Sequence, residues 1–524
     1  MNIVHSQFLS YFTSKAPVQF NRPPKCYFYT DISLIVAIVN LVYIFTRFNN
    51  DGKQFHFELL TKGSDLSSLA LRLLRLSKFK NKRSQEALIA LLVIRTGLFV
   101  YDNTVGDNAE VNSYPMFQQC IDIAYQIGIH SDPNFTTTIM FKDTPLLKSR
   151  TLSPSQTREL WNYMQMIDAN VSFDSGSPLL INYDYCIGYL RQSDTAFERK
   201  KEGAVILMRQ LSKTINSRKD VCLRDILQLI DKVTLFCFST QLSSPTGDDM
   251  DELAYLFSMK LWFLQSLLSL CRMVIYGIMK LPQSESLNEL SKEMYRQSVI
   301  AAVTSLFIIK DILLGKSIFG NDPNGKYVVF FRYLFSKSLG QSFVFWFSLL
   351  LHKTAVNTDL IGDVDKGSPL FDYPPDEISG DIILTTNLLE QALYHNYNNE
   401  TTELAEKVCS KLISNETMNE FSSSLYDIVY QNDVLKSSLD SFMMLNLVIV
   451  WLSIIRTLEE FKSKLATKKA TMKDVIAQTK QRVEHEFKTR SPFDTDGYQL
   501  EKLFDSILAD HTWLPIDDNS DWQM

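Results

Sequence analysis

The stretch that decides the fold begins Ser153-Pro154-Ser155-Gln156 and continues through Leu160, Trp161, Met164, Ile167, Asp168, Val171 and Ser172. Ser153 is suited to cap a helix. Pro154 fits the first helical position, where its missing N–H has no intrahelical partner, and Gln156 completes a capping box. Leu160, Met164, Ile167 and Val171 then recur at helical spacing, so the segment predicts a helix with one apolar stripe. Trp161, Asp168 and Ser172 follow the same period and share a face.

The same period extends outward in both directions, with sparse Gly and Pro, and predicts an all-α protein built as one large multi-helix domain. Ser64 to Leu76 places Leu66, Leu69, Leu73 and Leu76 on one stripe. Ser84 opens another helix in which Ala87, Leu88, Leu91, Leu92 and Arg95 run toward Tyr101. A loop over 103–112 precedes a helix from about Ser113 to Ile127, which Gly128 caps at its C-terminus. Long helical segments then fill Glu202 to Cys237, Asp248 to Lys280, Glu285 to Leu314, Tyr327 to Leu351, Ile378 to Ile413 and Glu420 to Phe461. No repeat period emerges. The reading gives a helical body over 1–461, a basic helical connector over 462–490, and an acidic, hydrophobic tail over 491–524.

A chain of 524 residues with 45% hydrophobic composition can bury a large core. Its 53 Lys and Arg against 59 Asp and Glu supply no global positive field for nucleic acid. The cysteines, at 26, 120, 186, 222, 237, 271 and 409, form no C-x-x-C pair, which fits free thiols in a reducing compartment. No basic, apolar leader is read at the N-terminus, so four N-x-S/T sequons are taken as chance. The apolar runs Ile32 to Phe45, Phe343 to Leu351 and Phe442 to Ile455 are each shorter than the roughly 20 residues that cross a bilayer, and are expected as core helices rather than membrane spans.

Catalytic patterns fail on their geometry. His130 and Asp132 suggest an acid/base pair, but a helix exit before Pro133 accounts for them as ties on freed backbone groups. Arg158 and Asp168 stand nearly three helical turns apart and are each expected to meet a polar group on another helix. Gly320 to Lys326 matches a phosphate loop at its glycines and lysine, yet Tyr327 stands where a small hydroxyl must reach Mg²⁺. His485-Glu486 lacks the second histidine of a zinc helix, since Thr489 stands there. No catalytic residue, cofactor or metal is assigned. The basic cluster Arg72, Arg75, Lys78, Lys80, Lys82 and Arg83 is read as a solvated helix edge in preference to a nucleic-acid contact.

Two phrases carry a family resemblance. The first closes a helix with Ala124-Tyr125-Gln126-Ile127-Gly128-Ile129-His130-Ser131-Asp132-Pro133. The second comprises Arg158, Leu160, Trp161, Asp168, Ser172, Gly176 and Pro178. In this order they resemble the regulatory "middle homology" domain of fungal zinc-cluster transcription factors over roughly 84–184. Ser131, Asn162 and Ser177 depart from that family's pattern. The resemblance implies a regulator of the nucleus, with the cytoplasm left open as a second location, whose helical domain restrains an activation segment and responds to a small hydrophobic ligand or metabolite. It also implies a zinc cluster of six cysteines, which is missing from this sequence. DNA binding is therefore expected only where a longer form or a partner supplies the cluster, and a homo- or heterodimer is left open.

The tail fits the expectation of an activation segment. Its charges are almost all acidic, while Leu500, Leu503, Phe504, Ile507 and Leu508 form one stripe, with Trp513 beyond, that suits a coactivator groove. A last amphipathic helix packed on the body is the alternative. The aromatic helix carrying Phe331, Phe335, Phe345 and Trp346 is weighed as a ligand pocket against plain core. An activator is the first reading, a cluster-less helical scaffold or dominant-negative partner the second, and an enzyme with an unrecognised site the third.

Overall fold

The computed structural model describes residues 25–46, 63–81, 83–101, 109–131, 152–182, 184, 186, 195–217, 221–240, 250–282, 284–320, 325–357, 382–398, 402–432, 435, 439–467, 469–470 and 472–490. Among these the protein is all-α, with no strand. In chain order the helices are α1 (Phe28–Thr46), α2 (Gly63–Leu76), α3 (Gln85–Arg95), α4 (Ala109–Gln126), α5 (Pro154–Ser175), α6 (Ala196–Ile215), α7 (Leu223–Ser239) and α8 (Met250–Met279). They continue with α9 (Glu285–Leu313), α10 (Lys326–Asn357), α11 (Thr386–Asn398), α12 (Thr402–Leu412), α13 (Asn415–Gln431), α14 (Leu439–Ala466) and α15 (Met472–Arg490). A π-helical turn, Thr96–Tyr101, extends α3.

Local signals set several boundaries as the sequence reading anticipates. Ser153 accepts the Gln156 amide while the Gln156 side chain accepts the Ser153 amide, so the capping box at α5 is complete. Ser84 caps α3 by accepting the Ala87 amide. Gly128, at φ +79°, takes the left-handed conformation that ends α4, and Gly176, at φ +65°, does so for α5. The long helical segments read from the sequence are divided. Glu202 to Cys237 falls across α6 and α7, Ile378 to Ile413 holds α11 and α12, and Glu420 to Phe461 spans α13 and α14. Divisions at short polar stretches such as 216–222 carry weak breaking signals, so hydrophobic periodicity runs through them.

Two apolar cores lie on either side of α5. The first gathers Ala37, Ala70, Leu74, Leu88, Leu91, Phe117, Ile121, Ala124, Trp161, Met164 and Ile167 from α1 to α5. The second is larger and draws on Ile44 of α1 and on Met166 and Ala169 of α5 together with helices α6 to α15. The α5 helix therefore walls both cores, and Tyr163 packs against each. At its centre α8 lies against α7, α9 and α10, while α9 also meets α11 and α12.

The stripe expected on α2 is displaced. Leu66, Ala70 and Leu74 are buried, whereas Leu69 is 45% and Leu76 56% exposed. The buried line includes the small residues Ser67 and Ala70, which let α1 approach closely. Ser33 donates to the Ala70 carbonyl at 2.7 Å and Asn40 donates to Ser67 Oγ at 2.9 Å. Leucine content alone points to the wrong face because these hydrogen bonds require small and polar residues at the contact.

Among the described residues two helices, α1 and α8, are long and apolar enough to cross a membrane. The first extends the Ile32 to Phe45 run, and the second was not among the runs singled out from sequence. Within the fold α8 is enclosed by other helices for most of its length, while α1 is less so. The runs at 343–351 and 442–455 fall within α10 and α14, and their described apolar residues are in the larger core.

The segment expected as a connector is also part of the body. Leu465 of α14 and Val475 and Val483 of α15 are buried in the larger core, and α15 packs along α14 with Arg482–Glu460 and Arg456–Glu486 pairs across the contact. The basic surface of α15 conceals a narrow apolar seam that its composition does not reveal. Val475→Ala and Val483→Ala should each cost roughly 2 kcal/mol in chemical denaturation, from lost burial and the small cavity left. A solvated connector would leave the midpoint unchanged.

Candidate functional site

Several of the described residues that carry the family resemblance, Gly128, His130, Trp161, Asp168, Ser172 and Gly176, meet where α4, α5 and α6 converge. Asp168, 2% exposed, accepts the Leu180 amide at 2.9 Å on Oδ1 and the Ile181 amide at 3.0 Å on Oδ2. Arg209 of α6 donates to the same Oδ2 at 2.9 Å and to the Ile181 carbonyl at 2.6 Å. The left-handed Gly176 reverses the chain so that 177–181 returns along α5 and offers these amides to the carboxylate. Burial pushes the Asp168 carboxyl above its ordinary range, opposed by the Leu180 amide, Arg209 and the Ile181 amide.

Ser172 extends this polar latch. Its hydroxyl donates to the Ser177 carbonyl at 2.6 Å, and Asn216 at the end of α6 donates to the carbonyls of Ser172 and Ser177. Ser212 of α6 donates to the Ala169 carbonyl at 2.7 Å. Pro178 is exposed on the returning strand of chain. The expectation that Asp168 meets another helix is met by Arg209. Arg158 differs: it is half-buried, its Nε has no hydrogen bond, and it forms no ion pair among the described residues.

The exit of α4 packs against the same helix. Tyr125, His130 and Trp161 form an aromatic cluster, with ring centroids 5.0 Å apart for Tyr125 and His130 and 6.0 Å for Tyr125 and Trp161. The Tyr125 hydroxyl accepts the Asn182 amide at 3.2 Å, joining this cluster to the returning chain. Leu160 is half-buried at the edge of the first core. Desolvation lowers the His130 pKa, partly offset by a hydrogen bond to the Ala124 carbonyl. Asp132 and Pro133 lie outside the described residues, as do Leu500, Leu503, Phe504, Ile507, Leu508 and Trp513 of the tail.

Phe331, Phe335, Phe345 and Trp346 are all buried in the larger core. Phe331 sits among Phe257, Phe319 and Phe335, and Trp346 packs against Phe343 and Phe421 while its indole N–H donates to the Leu412 carbonyl at 2.7 Å. Aromatic edges and faces fill the surroundings of these rings, the packing expected of core.

Among the buried charges to which the sequence reading gives no partner are Arg209, Lys260 and Arg95. Arg209 is the partner of Asp168. Lys260 of α8 donates to the Thr240 carbonyl at 2.9 Å and pairs with Glu390 of α11, closing the C-terminal end of α7. Arg95 ends α3 beside Phe117, Cys120, Tyr163 and Tyr333. Each is a cation inside an apolar helical stripe, which is the signal that could have marked it. Lys326, the lysine of the phosphate-loop pattern, pairs instead with Asp251, which also accepts the Tyr327 hydroxyl. No group of three or more potential metal ligands occurs among the described residues.

Removing either partner of the Asp168–Arg209 pair strands a buried charge. Asp168→Asn and Arg209→Met should each cost about 3–5 kcal/mol, and the double variant should recover a large part of that cost in a denaturation cycle. Lowered in the fold, the His130 pKa favours the native state above the unfolded value near 6.5 and loses that contribution as pH falls through the folded value. Stability measured between pH 7.5 and 5 should therefore decline on acidification, and His130→Gln should flatten the slope. Comparison with known protein families, characterised proteins and solved structures gives no match.

Proposed function

We propose that this chain is the helical regulatory part of a transcription regulator of fungal zinc-cluster type. It acts in the nucleus, where its acidic tail engages a coactivator. The observation that carries the reading is the convergence of its two sequence phrases. Gly128 and His130 leave α4 against Trp161, and Asp168, Ser172 and Gly176 fasten α5 to α6. This reading is supported by residues of both phrases packing and hydrogen-bonding with one another in three dimensions.

The arrangement also suits a switch. A helix that walls two cores can report on both, and a small ligand acts on it only through different affinities for the restrained and released states. Sequence-specific DNA contact belongs to a zinc cluster supplied by a longer form or a partner subunit. A helical scaffold that occupies such a partner without activating is the competing reading.

A reporter assay separates them. Residues 1–524 fused to an unrelated DNA-binding domain should activate transcription, and a version ending at Arg490 should not. The isolated tail should exceed the full chain if the helical body restrains it. Silence from both the full chain and the isolated tail would replace the activator with the scaffold.

A further inference from the structure

Arg95 is 6% exposed, yet its side chain forms no ion pair and no hydrogen bond among the described residues, and its Nε, alone of the three guanidinium nitrogens, is wholly removed from water without an acceptor. The guanidinium lies over the Phe117 ring, 5.3 Å from the centroid. A ring face attracts the charge but accepts none of the in-plane N–H donors. Desolvation lowers the Arg95 pKa, which expresses the same cost. Buried guanidinium groups are normally paired, because an unmatched one forfeits its hydration without return.

The surroundings hold further donors that are poorly used. Tyr163 meets Thr96 Oγ1 at 3.3 Å, longer than an ordinary hydroxyl hydrogen bond, while Thr96 spends its own proton on the Leu92 carbonyl at 2.9 Å. The buried Tyr255 hydroxyl donates to the Met166 sulfur, a weak acceptor. Tyr163 and Tyr333 lie near enough to Arg95 to feel its charge. Arg95 also immediately precedes the π-helical turn, a departure from α-geometry that recurs at functional sites.

We infer that Arg95, with the hydroxyl of Tyr163 beside it at the seam between the two cores, forms a binding site for a small organic monocarboxylate. A planar carboxylate can accept two parallel guanidinium N–H bonds and a phenol O–H together. One positive charge balances one negative charge, whereas a phosphate dianion in this dry seam would stay half neutralised. Phe117, Tyr163 and Tyr333, from α4, α5 and α10, surround Arg95 with aromatic surface on which an apolar body would pack. The site rests on the geometry at Arg95 and stands whether or not the chain regulates transcription.

Thermal unfolding of the full chain tests it, with sodium benzoate as probe and benzamide and inorganic phosphate at matched ionic strength as controls. Benzoate should raise the Tm saturably by several degrees, benzamide and phosphate should not, and Arg95→Met should abolish the shift. Without any anion, Arg95→Met should melt at or above the parent protein, because it removes an unpaired buried charge. Should that variant fail to fold or melt several degrees lower, the guanidinium is satisfied within the fold and the site does not exist. A benzoate shift that survives in Arg95→Met, or no shift in the parent, overturns it as well. A larger response to phosphate would overturn the carboxylate assignment. Tyr163→Phe should weaken benzoate binding about tenfold in isothermal titration, and an unchanged affinity would remove the hydroxyl from the site.

Discussion

The Asp168–Arg209 pair holds the two halves of the helical body in register. One carboxylate accepts two backbone amides from the chain that returns after α5 and one guanidinium from α6, and that guanidinium also takes the Ile181 carbonyl. Five groups that would be costly to bury alone are thus paired with one another. Both the exit of α5 and the placement of α6 depend on this exchange. It also fixes the face that α5 turns to each core.

That geometry gives α5 its position as a shared wall. Trp161, Met164 and Ile167 enter the first core, Met166 and Ala169 enter the second, and Tyr163 touches both. A helix placed in this way cannot rotate without disturbing packing on both sides. Close-packed cores respond to such a disturbance by discrete rearrangement rather than smooth deformation. This is the physical content of the regulatory reading. It also explains why an unpaired cation at the seam, Arg95, is well placed to matter: a ligand there touches the boundary that both cores share.

Elsewhere the buried polar groups work as fasteners at helix ends. Lys260 binds the last carbonyl region of α7 and pairs with Glu390, while the Lys200 ammonium donates to the Ser239 carbonyl. Cations at a helix C-terminus oppose the negative end of its dipole. The Trp346 indole similarly ties α10 to the Leu412 carbonyl at the end of α12. These contacts give the larger core directional links that apolar burial by itself does not supply.

The sequence determined the helices and their starts wherever a short-range rule applied. Ser153, Pro154 and Gln156 set the beginning of α5, and Gly128 and Gly176 set exits, because caps and left-handed turns involve neighbours within a few residues. It also placed Asp168 and Ser172 on one face and marked Asp168 for a polar contact. The partners were beyond its reach: Arg209 is 41 residues from Asp168, and Glu390 is 130 from Lys260. Only the tertiary structure decided these pairings, the face that α2 buries and the burial of α15. Each depends on which distant helix approaches and how closely, and that is settled by side-chain size and charge matching across the whole body rather than by local periodicity.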